Sequence, residues 1–249
     1  MKSGGPEVGE PATAAPGPKS TTPSAGGGGS VVTRVGPIYA IGWILSWLSC
    51  RVVFRARLVD ISKVPAGPVI LVANHRSYLD IPLIGTGLYR HVCYVARHTL
   101  AESRFLDWFM GRCGAVLVRR GTPDRAALVE IEAHLRAGDV VAIFPEGRRS
   151  RDGSLGPFKG GAALVARRCG APIVPVALVG TDRALPSGGR PRLVRVRAVY
   201  GDPIDSSRRD AMEVARGEVA RMLAEAGQPV ILADAGSAET DADGGAVVR

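Results

Sequence analysis

The chain has 249 residues, of which 46% are hydrophobic and 22% charged. That is enough for one α/β domain with a sizeable core and short of two, and it excludes a wholly disordered or fibrous chain. The formal net charge of +9 is uneven: residues 1–34 carry +1, residues 234–249 carry −3, and the stretch between them +11, so the body is suited to an anionic partner such as a phosphate substrate, anionic lipid or nucleic acid. Four cysteines (Cys50, Cys93, Cys113 and Cys169) form no C-x-x-C pair and fit no zinc spacing, which reads as reduced thiols in a cytosol-facing domain.

Residues 1–34 read as a disordered tail. Residues 1–30 are rich in Gly, Pro, Ser, Thr and Ala, cannot bury enough apolar area to offset their ordering entropy, and carry no secretory-signal pattern. Residues 35–54 read as a membrane-associating helix. Its core, Val35 to Cys50, is uncharged between Arg34 and Arg51 and holds Tyr39, Trp43 and Trp47. As a helix these sixteen residues reach about 24 Å, short of the roughly 30 Å hydrocarbon core, so the segment is expected to lie in or dip into one leaflet. The competing reading is a core helix of a soluble domain.

Residues 55–233 alternate strand and helix. Val69 to Ala73 is a continuous apolar run of strand length, and Ser103 to Cys113 a short helix with Phe105, Trp108 and Phe109 on one side. Val116 to Val118 is a short strand. Thr122-Pro123-Asp124 opens a helix whose apolar face is Leu128, Ile131 and Leu135, and Gly138 stops it. Val140 to Phe144 is a second buried strand. Gly161 to Cys169 is a helix ended by Gly170, and Ile173 to Val179 a strand that Pro175 demotes to an edge or a bulge. Leu193 to Val199 alternates apolar residues with Arg, as a strand with one wet face does. Ser207-x-x-Asp210 opens a last amphipathic helix carrying Met212, Val219, Met222 and Leu223, and residues 234–249 form a disordered acidic tail. The fold class expected is α/β: a single domain with a mixed, mostly parallel sheet flanked by helices.

Two loops carry chemistry. Asn74-His75-Arg76-Ser77-Tyr78-Leu79-Asp80 follows the first buried strand. An imidazole is the natural base near neutral pH, and a carboxylate on its far nitrogen orients it. In a regular helix a five-residue offset sets two side chains well apart around the axis, so His75 and Asp80 meet only if the chain turns between them. The spacing alone is weak. His134 and Asp139 repeat it between a helix end and a strand start, where it reads as surface chemistry. Residues 77–80 equally suit a helix start, with Ser77 as N-cap and Asp80 completing a capping box. The second loop, Phe144-Pro145-Glu146-Gly147-Arg148-Arg149-Ser150-Arg151, follows another buried strand. Its glycine lets backbone N–H groups approach an anion and its arginines can grip phosphate, with Phe158-Lys159-Gly160 adding a cation before a helix. A solvated basic turn is the plain alternative.

Taken together, four ordered blocks resemble the PlsC-type glycerolipid acyltransferases, the family of 1-acylglycerol-3-phosphate acyltransferases. They are Asn74-His75-x4-Asp80, Gly114 to Arg120, Phe144-Pro145-Glu146-Gly147-x-Arg149-Ser150 with Phe158-Lys159-Gly160, and Ile173-Val174-Pro175-Val176; Gly201-Asp202-Pro203-Ile204 is also similar. The resemblance covers roughly residues 50–225. It implies that His75 is the base on an acceptor hydroxyl with Asp80 orienting it, that Glu146, Gly147 and Arg149 line the acceptor's phosphate site, and that Arg120 faces that site. Arg97 stands where the family often has Lys and would be a further phosphate contact. Arg148 in place of the usual Thr, and Arg119 in place of an often acidic residue, add positive charge there.

The resemblance further implies transfer of a fatty acyl group from acyl-CoA or acyl carrier protein to 1-acylglycerol-3-phosphate, on the cytoplasmic face of a membrane with an anionic surface. No cofactor beyond the acyl thioester donor is expected, and no metal: no metal cluster is visible. There is no G-x-S-x-G elbow, so no serine nucleophile is needed. Transfer to another lysophospholipid or a glycolipid stays open, as does a non-catalytic lipid-binding protein on the same scaffold. Nucleic acid is not an expected partner, because no aromatic-interleaved basic patch or binding motif accompanies the charge.

Overall fold

The structure, a computed structural model, describes residues 37–97, 115–118, 125–186 and 188–233. The expected terminal tails and the expected helix at 103–113 lie outside these residues. Strands β1 (Arg57–Val59), β2 (Val69–Ala73), β3 (Val92–Arg97), β4 (Val116–Val118), β5 (Val140–Ile143), β6 (Ile173–Val179) and β7 (Arg197–Tyr200) form one sheet. Its order is β1-β7-β6-β2-β5-β3-β4. From β6 to β4 all neighbours are parallel, whereas β7 runs antiparallel to β6 and β1 parallel to β7. The sheet is thus mixed and mostly parallel, as the strand–helix alternation implies.

The apolar runs explain which strands lie at the centre. Every residue of β2 and β6 is buried, as a strand covered on both faces requires. Side chains then sort by the two-residue period. Val69, Leu71 and Ala73 join the core of one face with Leu83 and Ile84 of α2 (Asp80–Gly85). Ile70 and Val72 join the other with Ile131 and Leu135 of α3 (Arg125–Arg136) and Val165 and Ala166 of α4 (Gly161–Cys169). A short helix, α5 (Thr181–Ala184), follows β6, and α6 (Ala211–Glu225) closes the sheet end with Val219, Met222 and Leu223 over Ala177 and Val179.

This layering follows from crossover handedness. The chain steps from β2 to β3 in one direction along the sheet, and from β4 to β5 and β5 to β6 in the other. Right-handed crossovers therefore put α2 on one face and α3 and α4 on the opposite face. The neighbours β2 and β5 accordingly send their following segments to opposite faces. That opens a crevice at their carboxyl ends, the usual ligand position in an open α/β sheet.

Three readings need correction. Pro175 does not mark an edge: β6 lies inside the sheet, between β7 and β2. The Pro175 carbonyl accepts from Gly201 N at 2.8 Å, so its nitrogen also faces the β7 side. Ladder pairing with β7 starts only at Val176 opposite Tyr200, and the missing N–H falls just past the end of that strand. A Cβ on Gly201 would come within 2.8 Å of the Pro175 ring, so a side chain there is excluded by contact. Second, the His134–Asp139 pair is not surface chemistry, since His134 is 7% exposed and shares Asp139 with His91. Third, the last strand begins at Arg197, not Leu193, which is 85% exposed.

The first helix, α1 (Pro37–Leu48), runs into a π-helical turn, Ser49–Val53. It is docked on one side only. Tyr39, Cys50 and Phe54 are buried, whereas Ile41, Ile44, Leu45, Leu48 and Val52 are 47–61% exposed. Their spacing places these five on one helix face. Among the described residues no helix is long and apolar enough to cross a membrane.

Candidate active site

The site is built at the carboxyl ends of β2 and β5. Asn74, the residue after β2, is 1% exposed. Its amide nitrogen donates to Leu178 O at 3.0 Å and its amide oxygen accepts from Leu178 N at 2.8 Å, so the side chain copies a backbone pair and holds the end of β2 to β6. The chain then turns. Asp80 is fully buried, and its Oδ2 accepts from His75 Nδ1 at 2.9 Å, Arg76 N at 2.6 Å and Ser77 N at 2.7 Å. One carboxylate oxygen therefore makes both the His–Asp pair and the back-bond of a capping box, so the two readings of residues 75–80 describe one arrangement. Ser77 Oγ accepts from Leu79 N and donates to Leu185 O at 2.7 Å.

This geometry sets the imidazole. With Nδ1–H donated to Asp80, the lone pair of His75 lies on Nε2. The ring stacks on Phe144 with centroids 4.2 Å apart, and its side chain is 14% exposed. Fixed on one side by a carboxylate and on one face by an aromatic ring, the imidazole is held in a single orientation, which is the geometry a general base needs.

Glu146 bridges two backbone segments. Its Oε1 accepts from His75 N and its Oε2 from Gly156 N, each at 2.9 Å. Both oxygens are thus occupied by backbone N–H groups, and the side chain ties the His75 turn to the loop after β5. Burial pushes the carboxyl up to about 7, against these two donors and the nearby Arg76 guanidinium, which favour the ionised form. Gly147 adopts φ +71° and donates its N–H to Phe144 O at 3.0 Å, so it makes the turn instead of aiming its amide at an anion. Arg149 lies with its guanidinium carbon 3.9 Å over the Tyr78 ring and donates to the Tyr78 hydroxyl at 3.1 Å. Arg97 ends β3, in register with Val118 of β4, at the same carboxyl edge of the sheet. Arg120 lies outside the described residues.

Two participants escaped the sequence reading. Tyr78 is 49% exposed and presents Arg149 by cation–π contact. Arg76 is 6% exposed and donates to Gly153 O, holding the basic loop beside the histidine turn together with the bond from Ser150 N to His75 O at 2.8 Å. Both occupy unspecified positions of the His-x4-Asp spacing, and only their proximity to the loop after β5 reveals them.

The raised Glu146 carboxyl has a stability consequence. The folded chain holds this proton up to about pH 7 and the unfolded chain only to about 4.5. The contribution is therefore fully present below pH 4.5 and is lost as pH climbs towards 7. Denaturant titrations between pH 4.5 and 8 should show wild type losing stability relative to Glu146→Gln across that window. Parallel curves would remove Glu146 as the titrating group.

The family model for acyltransferases matches residues 55–179, spanning both loops of the site. A chloroplastic 1-acyl-sn-glycerol-3-phosphate acyltransferase of Brassica napus is 30% identical over 177 residues, 68% of this chain and 51% of the plant protein; the chain thus spans about half the length of that relative. A lyso-ornithine lipid O-acyltransferase of Pseudomonas aeruginosa is 28% identical over 192 residues, 70% of this chain and 73% of that protein. The crystal structure of the 1-acyl-sn-glycerophosphate acyltransferase PlsC from Thermotoga maritima superposes with a TM-score of 0.63 at 25% identity, covering 76% of this chain and 81% of that one. With the ordered blocks, the crevice built on them and a solved relative of the same fold in agreement, the chain belongs to the PlsC-type acyltransferase family.

Proposed function

We propose that the chain transfers a fatty acyl group from acyl-CoA or acyl carrier protein to the free hydroxyl of 1-acylglycerol-3-phosphate, giving phosphatidate. The observation that carries this reading is the 2.9 Å contact of His75 Nδ1 with the buried Asp80 Oδ2, just after β2 and beside β5 in the sheet, which leaves Nε2 as the nitrogen for the acceptor hydroxyl. Nε2 takes the hydroxyl proton as the oxygen attacks the thioester carbonyl. The C–S bond then breaks, and the proton on Nε2 passes to the departing thiolate. Asp80 stabilises the imidazolium between these steps without itself gaining a proton. No cofactor other than the acyl donor is required.

Arg149 is the described cation best placed for the acceptor phosphate, since Tyr78 holds it at the rim next to His75. Arg97 and Arg120 would add to the same charge. Glu146 and Gly147 would line that phosphate site from loops that their own hydrogen bonds shape. A second acceptor class has support too. The P. aeruginosa relative is named for a lyso-ornithine lipid, and Arg148, in place of the family's usual Thr, is exposed beside the site. A non-catalytic lipid-binding role fits less well, because the backbone bonds of Asp80 already close the turn and such a role gives no reason for an imidazole on the same carboxylate.

The enzyme would work at a membrane surface. The exposed stripe of Ile41, Ile44, Leu45, Leu48 and Val52 is contiguous and apolar, as expected of a helix lying in one leaflet while its Tyr39 side stays docked. The basic body adds attraction to anionic lipid. Free thiols at Cys50, Cys93 and Cys169 suit a cytoplasmic face.

Three measurements check this reading. His75→Ala should lower kcat by about 10²–10⁴-fold while the chain remains folded, with a thermal midpoint lowered by the hydrogen bond that Asp80 loses; retained activity would move the base elsewhere. Acyl transfer should be assayed with lysophosphatidate and lyso-ornithine lipid as acceptors. Arg149→Ala should reduce kcat/KM for lysophosphatidate by about one to two decades, from a charge-assisted bond of about 1.5–3 kcal/mol, and leave the donor KM nearly unchanged. Faster turnover of lyso-ornithine lipid, untouched by Arg149→Ala, would favour the second acceptor. Replacing Ile44 and Leu48 with Glu should release the protein from vesicles at high salt while the fold persists, because each buried large apolar side chain is worth about 1.5–3 kcal/mol. Undiminished sedimentation would place the membrane contact elsewhere.

A further inference from the structure

The second His-x4-Asp pair lies at the opposite edge of the sheet from His75, and tertiary structure adds a third member to it. His91 immediately precedes β3, His134 sits in the last turn of α3, and Asp139 immediately precedes β5. Backbone bonds fix all three: Asp139 N donates to His134 O at 3.0 Å and Val140 N to His91 O at 3.2 Å. Asp139 Oδ2 faces His134 Nδ1 at 2.8 Å and His91 Nδ1 at 3.2 Å. The side chains of His91, His134 and Asp139 are 5%, 8% and 15% exposed. The two imidazoles stack with centroids 5.6 Å apart, and Tyr39 of α1 packs on His91 at 4.8 Å. The Tyr39 hydroxyl accepts from Val92 N at 3.0 Å.

We propose that His91, His134 and Asp139 form a binding site for one divalent cation of the zinc class, with a structural role. Two imidazole nitrogens and one carboxylate oxygen converge on one point, with ligand atoms all within 4.8 Å of one another. That donor set suits zinc and its first-row neighbours, whereas calcium and magnesium prefer oxygen alone. Tetrahedral bonds of about 2.0–2.1 Å set donors roughly 3.3 Å apart, and the separations of 2.8 and 3.2 Å need to open by about half an ångström or less. Each ring would turn its Nδ1 lone pair to the cation and carry its proton on Nε2, and solvent would fill the fourth position.

The surroundings suit a structural role. The three ligands come from a helix end and two strand starts, which are rigid positions. Acyl transfer uses none of them, because His75 and Glu146 lie at the carboxyl ends of the strands. Arg90 is close enough for its charge to be felt by Asp139, and its guanidinium is held by the carbonyls of Pro65 and Gly67. Asp139 is the single anionic ligand of the three, and the Arg90 charge beside it works against the dication, so the two imidazoles must supply most of the binding. Through His91 and Tyr39, a bound cation would also stiffen the seat of α1, the helix with the exposed apolar face.

The test uses the untagged full chain in detergent, stripped with a chelator and titrated with cobalt(II). The expected result is one equivalent bound, with the visible bands of a tetrahedral site. Zinc should displace the cobalt and raise the thermal midpoint; magnesium and calcium should do neither. His134→Asn and Asp139→Asn should abolish both the bands and the shift, and His75→Ala should preserve them. No saturable one-to-one binding in the wild-type chain overturns the proposal, and this arm decides the matter even if a variant fails to fold. Binding that survives both His134→Asn and Asp139→Asn overturns it equally, by placing the cation elsewhere.

Discussion

Asp80 brings a carboxylate with no solvent exposure to the end of β2 and gives one of its oxygens three N–H donors, from His75 Nδ1 and the backbones of Arg76 and Ser77. A buried carboxylate is costly unless such partners meet it, and hydrogen bonds to a charged group contribute about 1.5–3 kcal/mol each. The arrangement therefore does several things at once. It closes the turn between strand and helix, starts α2, and fixes the His75 ring through Nδ1. Removing the carboxylate would free the tautomer and the turn together.

Around this turn the topology supplies the second half of the site. Because β2 and β5 are neighbours whose following segments leave to opposite faces, their end loops meet in one crevice. Glu146 spans it from the β5 side with both oxygens on backbone N–H groups, and Asn74 ties the β2 end to β6. Both side chains act as substitutes for missing backbone pairing where the sheet ends, which explains polar residues so deep in the molecule. The cation–π contact of Arg149 with Tyr78 then places a positive charge beside the His75 turn without burying it.

The opposite edge and the first helix form a separate system. Tyr39 links α1 to His91 and β3, while the outer face of the same helix stays apolar and exposed. A short helix with one docked and one apolar exposed side is anchored from beneath, so its outer face is held in place by the rest of the fold.

Periodicity and composition were sufficient for the central architecture. The unbroken apolar run of β2 read as a buried strand, Gly138 and Gly170 end their helices with positive φ, and the strand–helix alternation implied a mostly parallel sheet. The meeting of His75 and Asp80 was legible too, because a five-residue spacing at a strand-to-helix corner brings the two side chains together only when the chain turns between them. Tertiary structure alone decided what distant segments do to one another. It joined His91 to a pair that looked superficial, occupied both Glu146 oxygens with N–H groups from residues 75 and 156, set Arg149 on Tyr78, and kept Pro175 in an interior strand by ending β7 beside it. The reason is physical. A local pattern records the solvent and dihedral preferences of neighbours along the chain, whereas burial, hydrogen-bond pairing and charge contact depend on which strand ends the fold brings within a few ångströms.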